Sequence, residues 1–211
     1  MIRSRQAGLT LIELLVVIVI GTVLSGALLL TWFSLNSSYS FTVRSSSAQD
    51  FARDAVARMG RELRDAEPKG ADLAIFYADN DEISFYTTFN EQGNESRQVE
   101  PVLTRYYYKW DAERGVGRLY RQRGTTDAVV VDNLLNSRDF ARDPNGEADI
   151  FRYSYVSPDG LPVRDGQTPE EDMYGTISMI RIHLSVDLNP QSAPQPMNVS
   201  TAVHLRNQGL Y

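Results

Sequence analysis

The clearest pattern in the sequence is an apolar run from Leu14 to Phe33 that carries no formal charge and follows a short basic leader. A run of about 20 such residues is long enough to cross a bilayer as a helix. The leader, residues 1–8, contains Arg3 and Arg5 and no acidic residue, so the positive-inside rule predicts a cytoplasmic N-terminus and an extracytoplasmic remainder. A secretory signal peptide fits less well, because its apolar region has about 7 to 15 residues and precedes the cleavage site.

A second helical pattern extends from Asp50 to Glu67, with apolar residues on one stripe and charged residues on the other faces. The apolar positions are Phe51, Ala52, Ala55, Val56, Met59 and Leu63, and the charged positions are Arg53, Asp54, Arg58, Arg61, Glu62 and Arg64. Arg58 and Glu62 have the spacing of a weak surface ion pair. Pro68 predicts the end of the helix. The Ser- and Thr-rich segment from Asn36 to Ser47 is either a flexible neck or a helical continuation.

After Pro68 the period changes to the alternation of β-strands. The candidate strands are Glu82–Phe89, Leu103–Trp110, Gly117–Arg123, Ala128–Leu134, Ile150–Val156, Ser178–Leu188 and Met197–Arg206. Residues Asp111 to Val116 are expected to close a hairpin, and the Pro- and Gly-containing stretch from Ser157 to Tyr174 is expected to be a surface excursion. One long helix followed by a run of strands predicts an α+β fold with a mainly antiparallel sheet.

The composition argues against several classes of function, including nucleic-acid binding and cysteine chemistry. The net charge is −6 for the whole chain and becomes −8 once the two arginines of the leader are removed, so the mature protein is acidic. Nucleic-acid binding is not expected, because it requires a clustered excess of Lys and Arg. The absence of cysteine excludes disulfides, thiol catalysis and cysteine-ligated metals.

Glu13 is the exception within the N-terminal apolar pattern. A carboxylate costs about 2.5 to 3.5 kcal/mol at the centre of a bilayer and less near its interface, so it needs a partner or a favourable position. One interpretation is an acid at headgroup depth that the positive end of the helix dipole favours. The other is a subunit contact, in which Glu13 meets a positive group of a neighbouring helix.

The segment from Gly8 to Val16, Gly-Leu-Thr-Leu-Ile-Glu-Leu-Leu-Val, resembles the class III signal of type IV pilins and type II secretion pseudopilins. The resemblance implies that prepilin peptidase cuts between Gly8 and Leu9 and methylates the new amine of Leu9. It also implies that Glu13 neutralises the N-terminal amine of a neighbouring subunit during assembly. The chain departs from the family pattern at two positions. The first mature residue is usually Phe and here is Leu9, and Leu30 stands where many major pilins have a helix-kinking proline. The second departure argues against a major pilin.

The whole layout resembles the PilW-type minor pilins and the J-type minor pseudopilins. Four recurrent features carry this resemblance, and they are Arg61–Ala66, Tyr106–Tyr108, Leu119–Arg121 and Val203–Asn207. The resemblance implies a minor pilin that helps to initiate a type IV pilus or a pilus-like filament. The implied partners are prepilin peptidase, major and other minor pilins, and an inner-membrane assembly platform. The alternatives are a type II secretion minor pseudopilin and a membrane-anchored binding domain or enzyme.

These patterns predict four regions along the chain. Residues 1–8 form the leader peptide, and residues 9–33 form the transmembrane or filament-core helix. Residues 34–67 form a neck and an amphipathic helix, and residues 68–211 form the extracytoplasmic β-rich domain. The expected location is the cytoplasmic membrane, with a single pass, followed by the pilus or pseudopilus.

An enzymatic function is not expected. The sequence contains no Gly-x-Ser-x-Gly elbow, no phosphate-binding Gly-rich loop and no His-Glu-x-x-His zinc pattern. His183 and His204 occupy alternating strand positions beside polar neighbours, which predicts exposed sheet residues rather than ligands or bases. No catalytic residue, cofactor or metal is therefore predicted.

Two clusters have an alternative interpretation. The acidic stretch Asp139, Asp143, Asn145, Glu147 and Asp149 resembles part of a calcium loop, but a turn is the better explanation because residue 148 is Ala instead of the required Gly. The aromatic cluster consists of Tyr106, Tyr107, Tyr108, Trp110 and Tyr120. Strand alternation predicts that about half of this cluster is core, and outward tyrosines are candidates for partner contacts.

Overall fold

The computed structural model describes residues 11–89, 100–111, 113–114, 116–136, 149–166, 168–186 and 197–206. Contacts divide the chain into two compact units, Met1–Arg44 and Ser45–Tyr211. The second unit contains the amphipathic part of the helix together with the whole sheet. The four predicted regions, with boundaries after residues 8, 33 and 67, stay a prediction.

Helix α1 extends from Leu11 to Arg64. The segment from Asn36 to Ser47 is therefore a helical continuation. In the first unit, hydroxyl groups along the helix donate to backbone carbonyls one turn earlier, as Thr22 Oγ1 does to Val19 O at 2.8 Å and Thr31 Oγ1 does to Ala27 O at 2.9 Å. Each of these bonds satisfies a hydroxyl group within the helix, so the side chain needs no external partner in an apolar environment.

In the second unit, the end of α1 buries one stripe of side chains against the sheet. The buried residues of this stripe are Ala52, Ala55, Val56, Met59 and Leu63. Phe51 was expected to share this core but is 64% exposed. Residues four apart advance by about 40° on a helix of 3.6 residues per turn, so the series that reaches Leu63 has left the buried stripe at Phe51. Gly60 lies against β9 (Met197–His204), since a Cβ atom there would be 3.5 Å from Val203 Cγ2.

The helix ends at Arg64, three residues before the predicted end at Glu67. Ala66 forms an isolated antiparallel bridge with Thr87, and the backbone N–H of Glu67 donates to Tyr86 O at 3.0 Å. Pairing with the sheet thus removes the backbone from the helix before Pro68 is reached.

The sheet contains nine strands, and every strand pair in the described residues is antiparallel. The strands are β1 Ile75–Ala78, β2 Glu82–Thr87, β3 Val102–Asp111, β4 Val116–Arg123, β5 Thr126–Leu134, β6 Phe151–Val156, β7 Pro162–Gly166, β8 Met179–Val186 and β9 Met197–His204. Their order is β1-β2-β3-β4-β5-β8-β6-β7, and β9 pairs with β8. The predicted α+β class with an antiparallel sheet is therefore confirmed.

All seven predicted strands are present, but β1 and β7 were missed. β1 has only four residues, and β7 lies in the stretch that was expected to be a surface excursion. The same stretch continues into a 3₁₀ helix, Glu171–Thr176, which buries Met173 and Tyr174. The predicted hairpin loop is confirmed and is shorter than expected, because Asp111 pairs with Val116.

Strand β8 shows how the sheet separates its two faces. Ile180, Ile182 and Leu184 are completely buried, whereas Arg181 between them is exposed and His183 is half-buried. The alternation places the apolar side chains on the face that packs with the core. The opposite face carries the polar and charged residues of the strand.

Candidate functional site

The N-terminal segment of α1 presents an apolar surface. Large apolar side chains are exposed throughout this part of the helix, from Leu11 and Ile12 to Phe33 and Leu35. The helix is long and apolar enough to cross a membrane, as judged by length and composition. A continuous exposed apolar surface of this kind requires lipid or the helices of other subunits to cover it.

Glu13 lies in the first turn of α1 and is exposed. Its neighbours Ile12 and Leu14 are also exposed, by 71% and 54%. The position is electrostatically favourable for a carboxylate, because unpaired backbone N–H groups give the start of a helix a partial positive charge. Gly8 and Leu9, the predicted cleavage and methylation residues, lie outside the described residues.

A buried ion pair joins α1 to the sheet. The side chain of Glu62 is completely buried, and its Oε1 lies 2.7 Å from Nη2 of Arg121 on β4. Nε of Arg121 donates to Oε2 of Glu62 at 3.1 Å, and the hydroxyl of Tyr106 on β3 donates to the same oxygen at 2.8 Å. Burial, followed by the negative charge of Glu62, raises the pKa of Tyr106. The phenol therefore stays protonated as a donor.

Sequence reasoning placed Glu62 on the charged outer faces and missed this pair. The spacing of Arg58 and Glu62 favoured a local pair on the helix surface, and nothing local to the helix marks Glu62 as buried. The available signal was the resemblance itself. Three of its features, Arg61–Ala66, Tyr106–Tyr108 and Leu119–Arg121, supply the three side chains of this cluster. The fourth, Val203–Asn207, contributes Val203 beside Gly60 of the same helix.

The predicted aromatic cluster is divided between the two faces of the sheet. Tyr106 is buried in the core, and Tyr108 packs against the core and donates to Asn136 O at 3.1 Å. On the outer face, the rings of Tyr107 and Tyr120 stack with their centroids 5.3 Å apart. The two faces agree with the expectation from strand alternation, but Tyr107 is itself buried, with 7% of its surface exposed.

Charged side chains cover the outer tyrosine pair. Nζ of Lys109 lies 4.8 Å from the ring centroid of Tyr107 and 5.2 Å from that of Tyr120, and Cζ of Arg105 lies 4.7 Å from the ring centroid of Tyr107. The hydroxyl of Tyr107 donates to Asp127 Oδ2 at 2.5 Å. Desolvation and this bond raise the pKa of Tyr107 to about 12. The partner-binding role of these tyrosines stays a prediction.

The two histidines lie in strands of the sheet. His204 is exposed, as predicted, whereas His183 was predicted to be exposed and is half-buried. Among the residues that the structure describes, no group of three or more His, Asp or Glu side chains is arranged to hold a metal ion. The acidic stretch from Asp139 to Glu147 lies outside the described residues, and Asp149 forms an ion pair with Arg152 at 3.6 Å.

Comparison with known proteins identifies the N-terminal segment. Residues 3–29 match the family described as the Prokaryotic N-terminal methylation motif. No match to the chain was found among curated proteins. The prepilin-type motif, the long apolar helix and the antiparallel sheet domain together have the character of a type IV pilin-like protein. The motif implies processing by prepilin peptidase, anchoring in a membrane and assembly with other pilins.

Proposed function

We propose that this protein is a non-enzymatic minor pilin of the PilW type, which helps to initiate a type IV pilus or a pilus-like filament. The observation that carries the proposal is the methylation motif at residues 3–29, whose described part, from residue 11 onward, lies in a helix with an exposed apolar surface. A membrane helix that is also an assembly element needs an apolar surface that exchanges lipid for neighbouring helices.

Processing is the first step of the proposed function. Prepilin peptidase cuts between Gly8 and Leu9, removes the basic leader, and methylates the amine of Leu9. Before cleavage the N-terminus lies in the cytoplasm and the sheet domain lies outside the cytoplasmic membrane. Cleavage removes two positive charges that hold the N-terminus at the cytoplasmic face.

Glu13 directs the second step. As α1 leaves the bilayer and enters the helical core of the filament, the carboxylate pairs with the N-terminal amine of a neighbouring subunit. An ion pair in a low-dielectric environment is strongly favoured over an isolated charge, so the contact selects the subunit register. The sheet domain then contacts other minor subunits through its outer surface.

Intact mass measurement tests the processing step. The protein is recovered from membranes of cells with and without prepilin peptidase. We expect a chain that begins at methylated Leu9 only when the peptidase is present. A chain that still begins at Met1 in both strains would contradict the pilin proposal and favour a membrane-anchored domain.

The Glu13→Gln variant tests the assembly step. We expect normal cleavage between Gly8 and Leu9 but a decrease in filament incorporation on the order of tenfold or more, because the amide cannot neutralise an amine. Glu113→Gln is the matched control, since it makes the same chemical change at an exposed loop position. Equal amounts of both variants in purified filaments would contradict the role of Glu13.

A further inference from the structure

One edge of the sheet is open at the start of β5. This strand pairs with β4 on one side, but on its other side it pairs with β8 only at Leu134, opposite Val186. Among the described strands, β4 is therefore the only neighbour of the first part of β5. A strand edge of this kind presents backbone N–H and C=O groups that another strand can pair with.

Side-chain exposure agrees with an open edge. The four consecutive residues 126–129 are all exposed, and Val129 is 52% exposed. In β8, which has neighbours on both sides, every second residue is buried instead. Successive side chains of a strand point to opposite faces, so the start of β5 is uncovered on both faces of the sheet.

The turn before β5 determines which backbone groups face this edge. Two residues join β4 to β5, with Arg123 paired to Thr126 and a φ of 57° at Gly124. Such a hairpin closes with a bond from the N–H after the turn to the carbonyl before it, so the N–H of Thr126 points toward β4. Backbone groups alternate in direction along a strand, so the N–H and C=O groups of Asp127 and Val129 point to the open edge.

The sequence of this edge lacks the usual protection against pairing. Natural edge strands carry lysine, proline or a bulge that prevents the addition of another strand. Residues 126–131, Thr-Asp-Ala-Val-Val-Val, contain no lysine or proline and are rich in valine, which favours strands. The carboxylate of Asp127 accepts a bond from the Tyr107 hydroxyl. The register irregularities of β5 lie beyond Val129.

An extended peptide chain is the partner that fits such an edge. A strand offers N–H and C=O groups at the spacing of the ladder, and its side chains alternate between the two faces. Val129 lies opposite Tyr120 of β4 and is exposed, so a residue of the added strand would lie beside Val129 on its other side. An apolar residue fits this position, because cross-strand neighbours on one face contact each other.

The geometry of a filament restricts the source of this strand. Two copies that joined through their β5 edges would form an isologous pair, which is closed by a two-fold axis. Growth of a filament requires a heterologous contact, in which two different surfaces meet. The added strand therefore comes from a part of the neighbouring subunit other than β5.

We propose that the β5 edge, residues 126–129, binds an extended segment of a neighbouring filament subunit by β-strand addition. The backbone groups of Asp127 and Val129 pair with that segment, which has an apolar residue beside Val129. The inference rests on the proposed function, because it requires other subunits of a filament. It assigns a subunit contact to the sheet domain in addition to that of α1.

Site-specific photo-cross-linking in the producing cells tests the proposal on the full chain. A photoreactive benzophenone amino acid replaces Thr126, an exposed residue of the edge, and in a control it replaces Asp159, which is exposed in the turn between β6 and β7. The cross-linked peptide is mapped by mass spectrometry. We expect a product with one defined segment of a neighbouring subunit that carries the prepilin motif, from position 126 only.

Proline substitution tests whether backbone pairing holds that segment. Val129→Pro removes an N–H that faces the open edge and leaves the bonds to β4 in place, since proline is tolerated in edge strands. We expect the cross-link from position 126 to decrease on the order of tenfold or more, because the added strand loses a ladder bond and meets the proline ring. Val129→Ile is the matched control, because isoleucine keeps the N–H and the apolar side chain, so the cross-link should remain.

A second variant keeps the proposal testable if Val129→Pro prevents folding. Val129→Lys retains the backbone N–H and places at the edge the charge that natural edge strands use against pairing. It should also lose most of the cross-link. Denaturant unfolding of each variant in detergent shows whether its sheet domain is folded.

The outcomes separate the two proposals. A cross-link within the same chain, to β5 of a second copy, to a helix or to lipid would contradict strand addition. So would a cross-link that the folded variants leave unchanged, or the absence of a cross-link in a chain that is cleaved, methylated and assembled. In these cases the minor pilin proposal stands. A chain that is never cut would contradict both.

Discussion

At the scale of single residues, the contact between α1 and the sheet is organised around Glu62. Its carboxylate is completely buried and has both a cation and a phenol as partners, Arg121 and Tyr106. A buried charge is stable only while its partners remain, because desolvation is costly. Substitution of any of these three side chains should therefore lower the free energy of unfolding more than substitution of an exposed residue of the same type.

Removing the cation should destabilise the protein strongly. Arg121→Met leaves the Glu62 carboxylate buried without its cation, and we expect a loss of about 3 to 5 kcal/mol in the free energy of unfolding. Arg123→Met, two residues along the same strand and partly exposed, should change it by less than about 0.5 kcal/mol. Denaturant unfolding of both variants in the same detergent checks the prediction. Similar stabilities of the two variants would contradict it.

Titration of the outer tyrosine pair gives a prediction for pH. The pKa of Tyr107 is raised to about 12, so the stability that its neutral phenol contributes is complete below pH 10, the pKa of an unfolded tyrosine, and is lost as the pH rises through 12. Phenolate absorbance should show a step near pH 12 that Tyr107→Phe removes and Tyr39→Phe leaves in place. Asp127→Asn should move the step to lower pH. A step that Tyr107→Phe leaves unchanged would contradict the assignment.

The sequence revealed some of these residues and hid others for a physical reason. Strand alternation separated Tyr106 from Tyr107 correctly, because side-chain direction in a strand depends only on position. Burial of Glu62 depends on which strands pack beside the helix, and that information is not local. The local spacing of Arg58 and Glu62 therefore predicted an exposed position for a carboxylate that is buried.

At the scale of elements, two glycines mark the closest approaches of neighbouring segments. At Gly60 of α1, an added Cβ atom would be at ordinary contact distance, 3.5 Å from Val203 Cγ2. At Gly117 of β4, it would be 2.0 Å from Cε2 of Tyr108, which occupies the space beside the glycine. The first site has room for a methyl group and the second has none.

The two alanine variants should have opposite effects. Gly60→Ala should stabilise the protein by about 0.5 to 1 kcal/mol, because alanine loses less backbone entropy in a helix. Gly117→Ala should destabilise it by about 1 to 3 kcal/mol, because the Tyr108 ring must leave its place and the bond to Asn136 O. Thermal and denaturant unfolding of both variants measure these changes. Stabilisation by Gly117→Ala would show that the ring repacks without cost.

The elements themselves were largely predictable. Long alternating runs such as β3 and β8 were identified because the period of two is repeated several times. β1 and β7 were missed because four or five residues carry too little periodicity, and β7 begins at a proline in a turn-rich stretch. The helix end was placed too late because Pro68 was the local stop signal, whereas tertiary pairing of Ala66 with Thr87 ends the helix first.

At the scale of the whole molecule, the second unit, Ser45–Tyr211, contains a complete core. The helical side chains of this unit pack in the same cluster as the buried residues of the sheet. The first unit, in contrast, exposes its apolar residues. The part of α1 from Ser45 onward therefore contributes to the folded core, and the part before it provides the apolar surface.

Two fragments test this division. A fragment of residues 45–211 should be soluble without detergent and should unfold cooperatively, because it keeps the helical part of the core. A fragment of residues 68–211 should not unfold cooperatively, because it loses the core residues Met59 and Leu63. It also loses Glu62, the partner of Arg121. Circular dichroism during denaturant titration distinguishes the two. Cooperative unfolding of the shorter fragment would contradict the role assigned to the helix.

The junction between α1 and β2 has a mechanical consequence. The single hydroxyl proton of Thr87 is shared between the carbonyls of Glu62 and Asp65, whose oxygens lie 3.1 and 3.2 Å from Oγ1, beside the backbone bond from Glu67 N–H to Tyr86 O. Together with the bridge between Ala66 and Thr87, these bonds join the end of α1 to the end of β2, so a pull on the helix acts on them. Tension on the helix is then transferred to β2, which has a strand on each side. The force therefore reaches the sheet through a strand that is hydrogen-bonded on both sides, not through the edge strand β1.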